Sequence, residues 1–479
     1  MIGKEQLVID WRDFVRGMSS SNEMADGGFS PNTDCINLLT TPGVVYNAAA
    51  PVNRSTGATG QMIASCEDPS GNYQRIFLSS DANDDGQLYS ATSNGTLTAR
   101  GSEDTTQNYI QGRADMVAYQ GEVYFTSNEY VGRYSSIGSS NTVNPQFFLF
   151  NSALVPHPAL VYEDNIFYGD GNLLRRQTSA GGTPATILTL ATGIIIVALG
   201  IDPGSGKMLI SYVSQLNVSG TINTQSRVGF YDGLSNKLDR TVIIEEMITA
   251  FPTAEGVQYA SYGPYLGYWN GSGVSFLRRF ANIAYDNTEL MYKHHFTSIG
   301  STLYFIDNLQ IIAHGHPYQG SPKVFYPAFR NRVNSNNFFH VANLGNNLLC
   351  FSMSTSLFYT VDVTSVSDSN TLSFDTNVYR FPRTIEITGF FIEYADAVGA
   401  SVLPGTLLYL NKSVIGNSTA FLGLSSLTNT ASSGIRETLP DVLGAASSRG
   451  RTFQFRFTQS DSAVNIGICR IIIYYNVVE

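Results

Sequence analysis

Charged side chains are scarce in this sequence. Asp, Glu, Lys and Arg make up 14% of the 479 residues, against ~25% in ordinary soluble domains. Acids outnumber bases 38 to 28, and the net charge of −10 argues against a nucleic-acid-binding protein, because such affinity depends on Lys and Arg that neutralise phosphates. Ser, Thr, Asn and Gly replace the missing charges, and Phe and Tyr are abundant. This composition is typical of β-strands and turns.

The sequence also has few cysteines, no apparent leader and no long apolar run. Cys35, Cys66, Cys350 and Cys469 are far apart and form no CxxC pair, which predicts mostly buried free thiols instead of a zinc site or a disulfide framework. The opening MIGKEQLVIDWRDF has no apolar core and predicts no signal peptide. The most apolar stretch, Ile187–Ile201, is shorter than the ~20 residues of a membrane helix. It predicts two buried strands and no membrane-spanning segment.

A hairpin recurs along the middle of the chain: an apolar strand, a polar or Gly turn, a second strand rich in Tyr and Phe, and a third strand that often carries Arg. The second strand is centred near seven positions, Phe77, Phe125, Tyr168, Leu209, Tyr268, Phe305 and Leu349. Their spacing is close to the ~40–50 residues of a propeller blade. Each blade leaves two apolar faces that only its neighbours can cover, so the array should close into a ring. Residues 61–382 therefore predict a β-propeller of six or seven irregular blades, with an insertion at Asn217–Thr253.

The segments on either side of the predicted propeller have a different texture. The segment before Tyr73 is a candidate for the one strand that closes the ring, although Gly27–Val45 is rich in turn residues. Residues 1–60 predict an extended N-terminal arm that partly packs on the propeller. After Pro382 the apolar and polar residues alternate over longer stretches. Residues 383–479 therefore predict an antiparallel β-sandwich. The predicted fold class is all-β.

One loop opens like a calcium-binding loop. Asp81, Asn83 and Asp85 precede Gly86 in the order D-x-[DN]-x-[DN]-G, which places oxygen-bearing side chains around one point. Thr92 stands where the bidentate Glu of such loops belongs, so the ligand set is incomplete. A solvated Asp-Gly turn is the favoured interpretation. Calcium binding by Asp81, Asn83 and Asp85 is kept as a hypothesis, and no other cofactor is expected.

The other candidate sites are weak. Gly200–Met208 resembles a phosphate loop, but the first Gly of that motif is missing and a strand follows, which favours a hairpin turn. The pairs His294–His295 and His314–His316 have no third ligand nearby, so turn or surface histidines are favoured over a metal site. G-x-S-x-G and H-E-x-x-H motifs are absent. The sequence thus predicts no enzyme, although carboxylate pairs that converge only in space leave glycoside hydrolysis open.

The layout as a whole resembles a known family. The N-terminal GGFSPNTDCINLLTTPGVV, the Tyr-rich repeats and the C-terminal LPDVLGAASSRGRTFQFRFTQSDSAVNIGICRIIIYY are similar to the tail accessory, or nozzle, proteins of short-tailed bacteriophages. The resemblance covers nearly the whole chain and implies a structural virion protein, a homohexameric ring in the tail that assembles in the host cytoplasm. Such a ring would dock on the portal–adaptor assembly, retain packaged DNA, carry tail fibres or spikes, and let the DNA exit without specific binding.

Composition is compatible with this resemblance. An acidic or neutral wall repels phosphates, and low charge with many aromatic residues suits subunit interfaces. Two other classes stay open. The first is a receptor- or glycan-binding tail tip protein, in which the loop Tyr259–Gly271 stacks on sugars, although such aromatics more often form the core. The second is a propeller glycosidase or lyase, which only fold analogy supports.

Overall fold

The structure is a computed structural model. It describes residues 5–10, 38–41, 44–47, 51–54, 60–81, 83–104, 108–110, 112–135, 142–214, 225–280, 291–307, 310–316, 323–330, 338–353, 357–364, 373–375, 379–394, 403–411, 421–429, 435–438, 449–459 and 468–478. These residues form strands and turns together with one 3-10 helix, Lys293–His295. The prediction of an all-β chain is therefore confirmed.

The strands fall into an N-terminal group, a repeated group and a C-terminal group. The N-terminal strands are β1 (Glu5–Asp10), β2 (Leu38–Thr41), β3 (Val44–Asn47) and β4 (Val52–Asn53). The repeated strands are β5 (Gln61–Glu67), β6 (Arg75–Ser80), β7 (Gly86–Ala91), β8 (Leu97–Asp104), β9 (Met116–Tyr119), β10 (Glu122–Thr126), β11 (Tyr130–Ser135), β12 (Thr142–Leu149), β13 (Ala159–Tyr162), β14 (Asn165–Asp170), β15 (Leu173–Gln177), β16 (Ala185–Thr189), β17 (Ile194–Ile201), β18 (Met208–Ser214), β19 (Ser226–Tyr231), β20 (Arg240–Ile244), β21 (Ile248–Ala250), β22 (Thr253–Ala254), β23 (Val257–Tyr262), β24 (Tyr265–Trp269), β25 (Val274–Arg279), β26 (Phe296–Ile299), β27 (Thr302–Asp307), β28 (Gln310–Gly315), β29 (Val324–Arg330), β30 (Phe338–Asn343), β31 (Leu348–Met353) and β32 (Leu357–Asp362). The C-terminal strands are β33 (Ser373–Asp375), β34 (Tyr379–Tyr394), β35 (Leu403–Asn411), β36 (Phe421–Asn429), β37 (Ile435–Thr438), β38 (Arg449–Gln459) and β39 (Ile468–Val477).

The repeated strands pair into seven sheets, numbered here by their order along the chain. Their strand orders are β5-β6-β7-β8, β9-β10-β11-β12, β13-β14-β15-β16, β17-β18-β19-β20, β21-β23-β24-β25, β26-β27-β28-β29 and β30-β31-β32-β4. In the fifth sheet, β22 also pairs with β23. The seventh sheet takes its last strand from the N-terminal side, since Asn53 lies opposite Tyr359 and Val52 opposite Thr360.

Burial explains the apolar runs in these sheets. The second strands β6, β10 and β14 are buried along almost their whole length, so both of their faces need apolar residues. The outer strand β12 instead alternates between exposed and half-buried residues. Tight turns join the strands: Gln120 and Gly121 both have positive φ, 45° and 83°, as a two-residue hairpin turn requires.

The first strands of the sheets contact one another in chain order. β5 contacts β9, β9 contacts β13, β13 contacts β17, and β17 contacts β21. β22 of the fifth sheet contacts β26, β26 contacts β30, and β30 contacts β5 again. Apolar clusters lie between successive sheets, for example between the first and second, around Leu78 and Phe125, and between the seventh and first, around Cys350 and Phe77. The succession of sheets thus returns to the sheet at which it began.

Two details of the predicted repeat are wrong. Tyr268 lies in β24, the third strand of the fifth sheet in its order, whereas the other six predicted centres lie in second strands. The second strand of that sheet is β23, around Tyr259. The predicted insertion Asn217–Thr253 contains β19, β20 and β21, which complete the fourth sheet and begin the fifth. The start of the fifth sheet was not recognised because its first strand, β21, has only three residues and carries too little periodicity.

Strands β1 to β3 and the seven C-terminal strands form one ten-stranded sheet. Its main path is β2-β3-β39-β34-β38-β35-β36, and β1, β33 and β37 pair with β39, β38 and β34. The pairing of β34 with β38 shifts in register between Arg380 and Ile385. Pro382 lies within this interval, and proline has no N–H to donate to a β-ladder. Long antiparallel strands were predicted after Pro382, and these are present; the two-layer sandwich stays a prediction.

The chain forms two compact units. One comprises Val52–Leu309 and Ser335–Val361, and the other comprises Met1–Pro51, Gln310–Asn334 and Asp362–Glu479. The predicted domain boundaries after residues 60 and 382 stay predictions. In the part of the chain that the structure describes, no helix has the length and apolar character needed to cross a membrane.

Candidate functional site

The predicted calcium loop forms the turn between β6 and β7. Oδ1 of Asp81 accepts hydrogen bonds from the backbone N–H groups of Asn83 (2.7 Å) and Asp85 (3.0 Å), and the backbone N–H of Asp81 donates to the carbonyl of Asp85 (3.0 Å). Asp84 has φ 64°, a left-handed conformation that Asp adopts in turns. The carboxylate of Asp81 thus closes the turn on its own backbone. Calcium binding by Asp81, Asn83 and Asp85 stays a prediction.

The two predicted histidine pairs have different surroundings. His294 and His295 are buried in the 3-10 helix, so they are turn residues but not surface residues. His314 is also buried and stacks on Phe325, with ring centroids 4.3 Å apart, whereas His316 is exposed. Over the described ranges, no group of three or more His, Cys, Asp or Glu residues has an arrangement that could hold a metal ion.

The stretch that resembles a phosphate loop is a hairpin turn between β17 and β18, as predicted. Oδ2 of the buried Asp202 accepts hydrogen bonds from the backbone N–H (2.8 Å) and the hydroxyl (2.6 Å) of Ser205. Its Oδ1 accepts the indole N–H of Trp269 (2.9 Å). Trp269 and Tyr259 of the proposed sugar-stacking loop are buried, so these two aromatic side chains belong to the core.

A cavity of about 470 Å³ lies where the first strands of the sheets meet. Its lining comes from six of the seven sheets. Some of these residues lie in the sheets themselves, and others lie in the segments just before the first strands. Most of the lining is apolar, including Ile63, Leu160, Val197, Leu199 and Phe251. The charged residues among the described lining are Arg113, Asp115 and Lys293.

Asp115 is the centre of a polar cluster at this cavity. Its Oδ1 accepts hydrogen bonds from Lys293 Nζ (2.8 Å), His294 Nε2 (2.8 Å) and the backbone N–H of Met116 (2.7 Å). Its Oδ2 accepts the backbone N–H of Ala159 (2.8 Å). Lys293 Nζ also donates to the Ala159 carbonyl (3.1 Å). One carboxylate therefore joins the beginnings of the second, third and sixth sheets.

The protonation states of the cluster follow from its hydrogen bonds. Burial by itself raises the pKa of Asp115, but the Lys293 ammonium and the hydrogen bond from His294 outweigh it and hold that pKa well below its usual range. Burial lowers the pKa of His294, against the opposing effect of Asp115. Nδ1 of His294 accepts the backbone N–H of Ser65 (3.4 Å), so the neutral ring carries its proton on Nε2 and donates it to Asp115.

A second buried layer lies behind His294. The ring of His340 stacks on that of His294, with centroids 5.9 Å apart, and its Nε2 lies 3.0 Å from Oγ of Ser65. Nε of Arg75 donates to the same Oγ (2.7 Å). Ser65 is 4% exposed and His340 is fully buried. The Ser65 hydroxyl is thus enclosed by its partners and inaccessible to a substrate.

This arrangement suits binding better than proton transfer. Asp115 stays ionised at neutral pH because of its lowered pKa, and both ring nitrogens of His294 have hydrogen-bond partners. A general base needs a free lone pair within reach of the substrate, and His294 offers none in this geometry. The cluster fixes Lys293 at the cavity wall, where the side chain is 44% exposed.

Asp115, Lys293 and Arg113 were not predicted from the sequence. Asp115 and Lys293 are 178 positions apart, and neither belongs to a recognisable motif. One shared feature is their position in the chain. Arg113 and Asp115 come shortly before β9, which begins at Met116, and Lys293 comes shortly before β26, which begins at Phe296.

No protein-family model matches the chain, and no curated protein matches it either.

Proposed function

We propose that this chain is a structural virion protein of a phage tail, a seven-bladed β-propeller with a C-terminal β-sandwich that assembles into a homohexameric ring. The ring would dock on the portal–adaptor assembly, retain packaged DNA and let it exit, and offer attachment surface to fibres or spikes. The observation that carries the proposal is the order of contacts among the seven sheets, whose first strands follow one another from β5 to β30 and back to β5.

Two features support the ring of blades. The seventh sheet contains three strands from residues 338–362 and the short β4 from the N-terminal side, so one sheet holds both ends of the repeated region. A sheet built from both ends of the repeated region links the last repeat to the first. Apolar clusters cover both faces of the first sheet, one shared with the second sheet and one with the seventh.

The ten-stranded sheet formed by β1 to β3 and the C-terminal strands supports a second domain. Strands β1 and β3 pair with the C-terminal strand β39 in that sheet, β2 pairs with β3, and none of the three belongs to the seven repeated sheets. That these strands pair outside the seven repeated sheets supports the layout of an N-terminal arm, a propeller and a closing β-domain that the resemblance to nozzle proteins implies. The low charge of the chain and its many Phe and Tyr residues suit the large subunit interfaces of a ring.

The test is the particle that the purified full-length chain forms. We expect negative-stain electron microscopy at micromolar concentration to show rings with an axial hole, and native mass spectrometry to give six chains per particle. A chain that stays monomeric up to about 100 µM, a concentration well above the Kd of stable assemblies, would contradict the proposal. Glycan-array binding by the monomer would favour the receptor-binding alternative, and release of reducing sugar from host polysaccharide would favour the hydrolase or lyase.

A further inference from the structure

We propose that the cavity among the first strands binds a small amphipathic monoanion, a carboxylate attached to an apolar body, with Arg113 and Lys293 holding the carboxylate. This site is independent of the proposed tail function. Nothing in the sequence motifs indicated it, because its residues meet only through the packing of the sheets.

The size and lining of the cavity define the body of the ligand. A volume of about 470 Å³ lies within the ~300–1,000 Å³ of ordinary small-molecule sites. Pro158, Leu160, Val197, Leu199 and Phe251 contribute apolar walls. Burial of an apolar body against such walls is favourable by roughly 25 cal/mol for each Å² removed from water. An aliphatic chain or a fused ring therefore fits better than a sugar.

The charges define the head group. Arg113 and Lys293 carry positive charge at the wall, and Asp115 is the single carboxylate in the lining that the structure describes. Asp115 is already shared by Lys293, His294 and two backbone N–H groups. His294 is neutral, as its accepting Nδ1 shows, and burial lowers the pKa of His295 to about 3. The wall thus has one more positive than negative charge, which one carboxylate would balance.

Arg113 supplies the donors that a carboxylate needs. Its backbone is held, since its N–H donates to the Ile110 carbonyl (3.0 Å) and its carbonyl accepts the N–H of His157 (3.0 Å). The residue is half-buried and lines the cavity, where its positive charge acts on the phenol of Tyr292 in the same lining. A guanidinium presents a planar fork of N–H groups that matches a carboxylate.

The cavity is also accessible. The side chain of Lys293 is 44% exposed, and Ile201, Pro203 and Thr253 of the lining are exposed residues in or next to hairpin turns. A ligand can enter from that side with its apolar body toward the buried Ile63, Val197 and Leu199.

Isothermal titration calorimetry on the full-length wild-type chain tests the proposal with matched acids and amides. The probes are 2-naphthoate and decanoate, each compared with its uncharged primary amide. We expect at least one acid to bind one per chain, and its amide to bind at least tenfold more weakly. Absence of heat from both acids at millimolar concentration, or equal affinity of acid and amide, would overturn the proposal. This comparison needs no variant to fold.

The second arm uses Arg113→Gln, with Arg279→Gln as its matched control. Arg279 is an exposed arginine at the end of β25, outside the cavity. We expect Arg113→Gln to weaken binding of the acid tenfold or more and to leave amide binding unchanged, whereas Arg279→Gln changes neither. Equal affinity of Arg113→Gln and wild type for the acid, with unchanged thermal midpoints, would remove Arg113 from the site and contradict the proposal.

Discussion

At the residue scale, three buried carboxylates each accept several hydrogen bonds. Asp115 serves the second, third and sixth sheets in this way. Asp170 accepts the backbone N–H groups of Asn151 and Ser152 and the Nε of Arg175, and Asp202 fixes a turn and binds Trp269. A buried charge is tolerated only where partners satisfy it. Each of these three buried carboxylates has such partners.

Asp115→Ala should destabilise the chain strongly. The substitution leaves Lys293 Nζ, His294 Nε2 and two backbone N–H groups without their acceptor, and breaking one side of a buried pair typically costs ~3–5 kcal/mol. Urea denaturation followed by fluorescence gives the change in free energy of unfolding. The matched control is Asp239→Ala, whose partner Lys207 is exposed and whose loss should cost less than ~1 kcal/mol. Equal losses in the two variants would contradict the central role of Asp115.

The buried histidines should make the chain less stable in acid. Burial lowers the pKa of His295 to about 3, below the ~6.5 of a histidine in the unfolded chain. Between these values the unfolded state binds more protons than the folded state, so this contribution is fully present above pH ~6.5 and is lost as the pH falls. His294 and His340 shift in the same direction, because burial lowers the pKa of each.

His295→Asn should reduce this pH dependence. Asn can still accept the backbone N–H of Tyr292, which Nδ1 of His295 accepts at 3.1 Å, but it has no proton to gain. Between pH 7.5 and 4.5 we expect the variant to lose on the order of 2 kcal/mol less stability than wild type. Thermal unfolding at the two pH values measures the difference. His316→Asn, at an exposed position, is the control, and an unchanged pH dependence in His295→Asn would argue against the buried neutral ring.

At the element scale, the seventh sheet depends on a very short strand. β4 has only two residues. Arg54, the next residue, adds two hydrogen bonds to β32: its backbone N–H donates to the Phe358 carbonyl (2.7 Å), and its Nε donates to Thr360 Oγ1 (3.3 Å). Short edge strands limit pairing with other chains, but they also make closure sensitive to single changes.

Arg54→Pro should loosen this closure. Proline has no backbone N–H, so the bond to Phe358 is lost together with the bond to Thr360, and a net loss of about 1–3 kcal/mol is expected. Arg54→Ala keeps the backbone bond and separates the two contributions. We expect Arg54→Pro to lower the thermal midpoint further than Arg54→Ala and to speed proteolysis near β4. Identical behaviour of the two variants would show that the backbone bond of β4 contributes little.

At the scale of the whole molecule, the acidic balance bears on the proposed DNA conduit. With a net charge of −10, the chain should not bind duplex DNA, because non-specific affinity comes from neutralised phosphates. Fluorescence anisotropy of a labelled duplex in 150 mM salt should stay unchanged up to about 100 µM protein, where basic proteins already bind. Salt-dependent binding in the micromolar range would contradict a passive channel wall.

Much of the fold was predictable because its signal is local. Phe77, Phe125 and Leu209 were placed correctly in second strands, since strands buried on both faces are apolar throughout and tight turns need particular residues. Tyr268 was misplaced because β21, the first strand of its sheet, is too short to show a period. The cavity and its cluster were not predictable, because Asp115, Lys293 and Arg113 carry no motif.

The sequence by itself determined the class of structure: strands, turns, a repeated sheet and long C-terminal strands, since each of these depends on neighbouring residues. The tertiary structure alone decided which sheets adjoin and which polar groups meet, because those contacts join residues far apart in the chain, such as Ser65 with His294 and His340. A buried polar residue is stable only beside a partner that satisfies it, and only the packed sheets supply that partner.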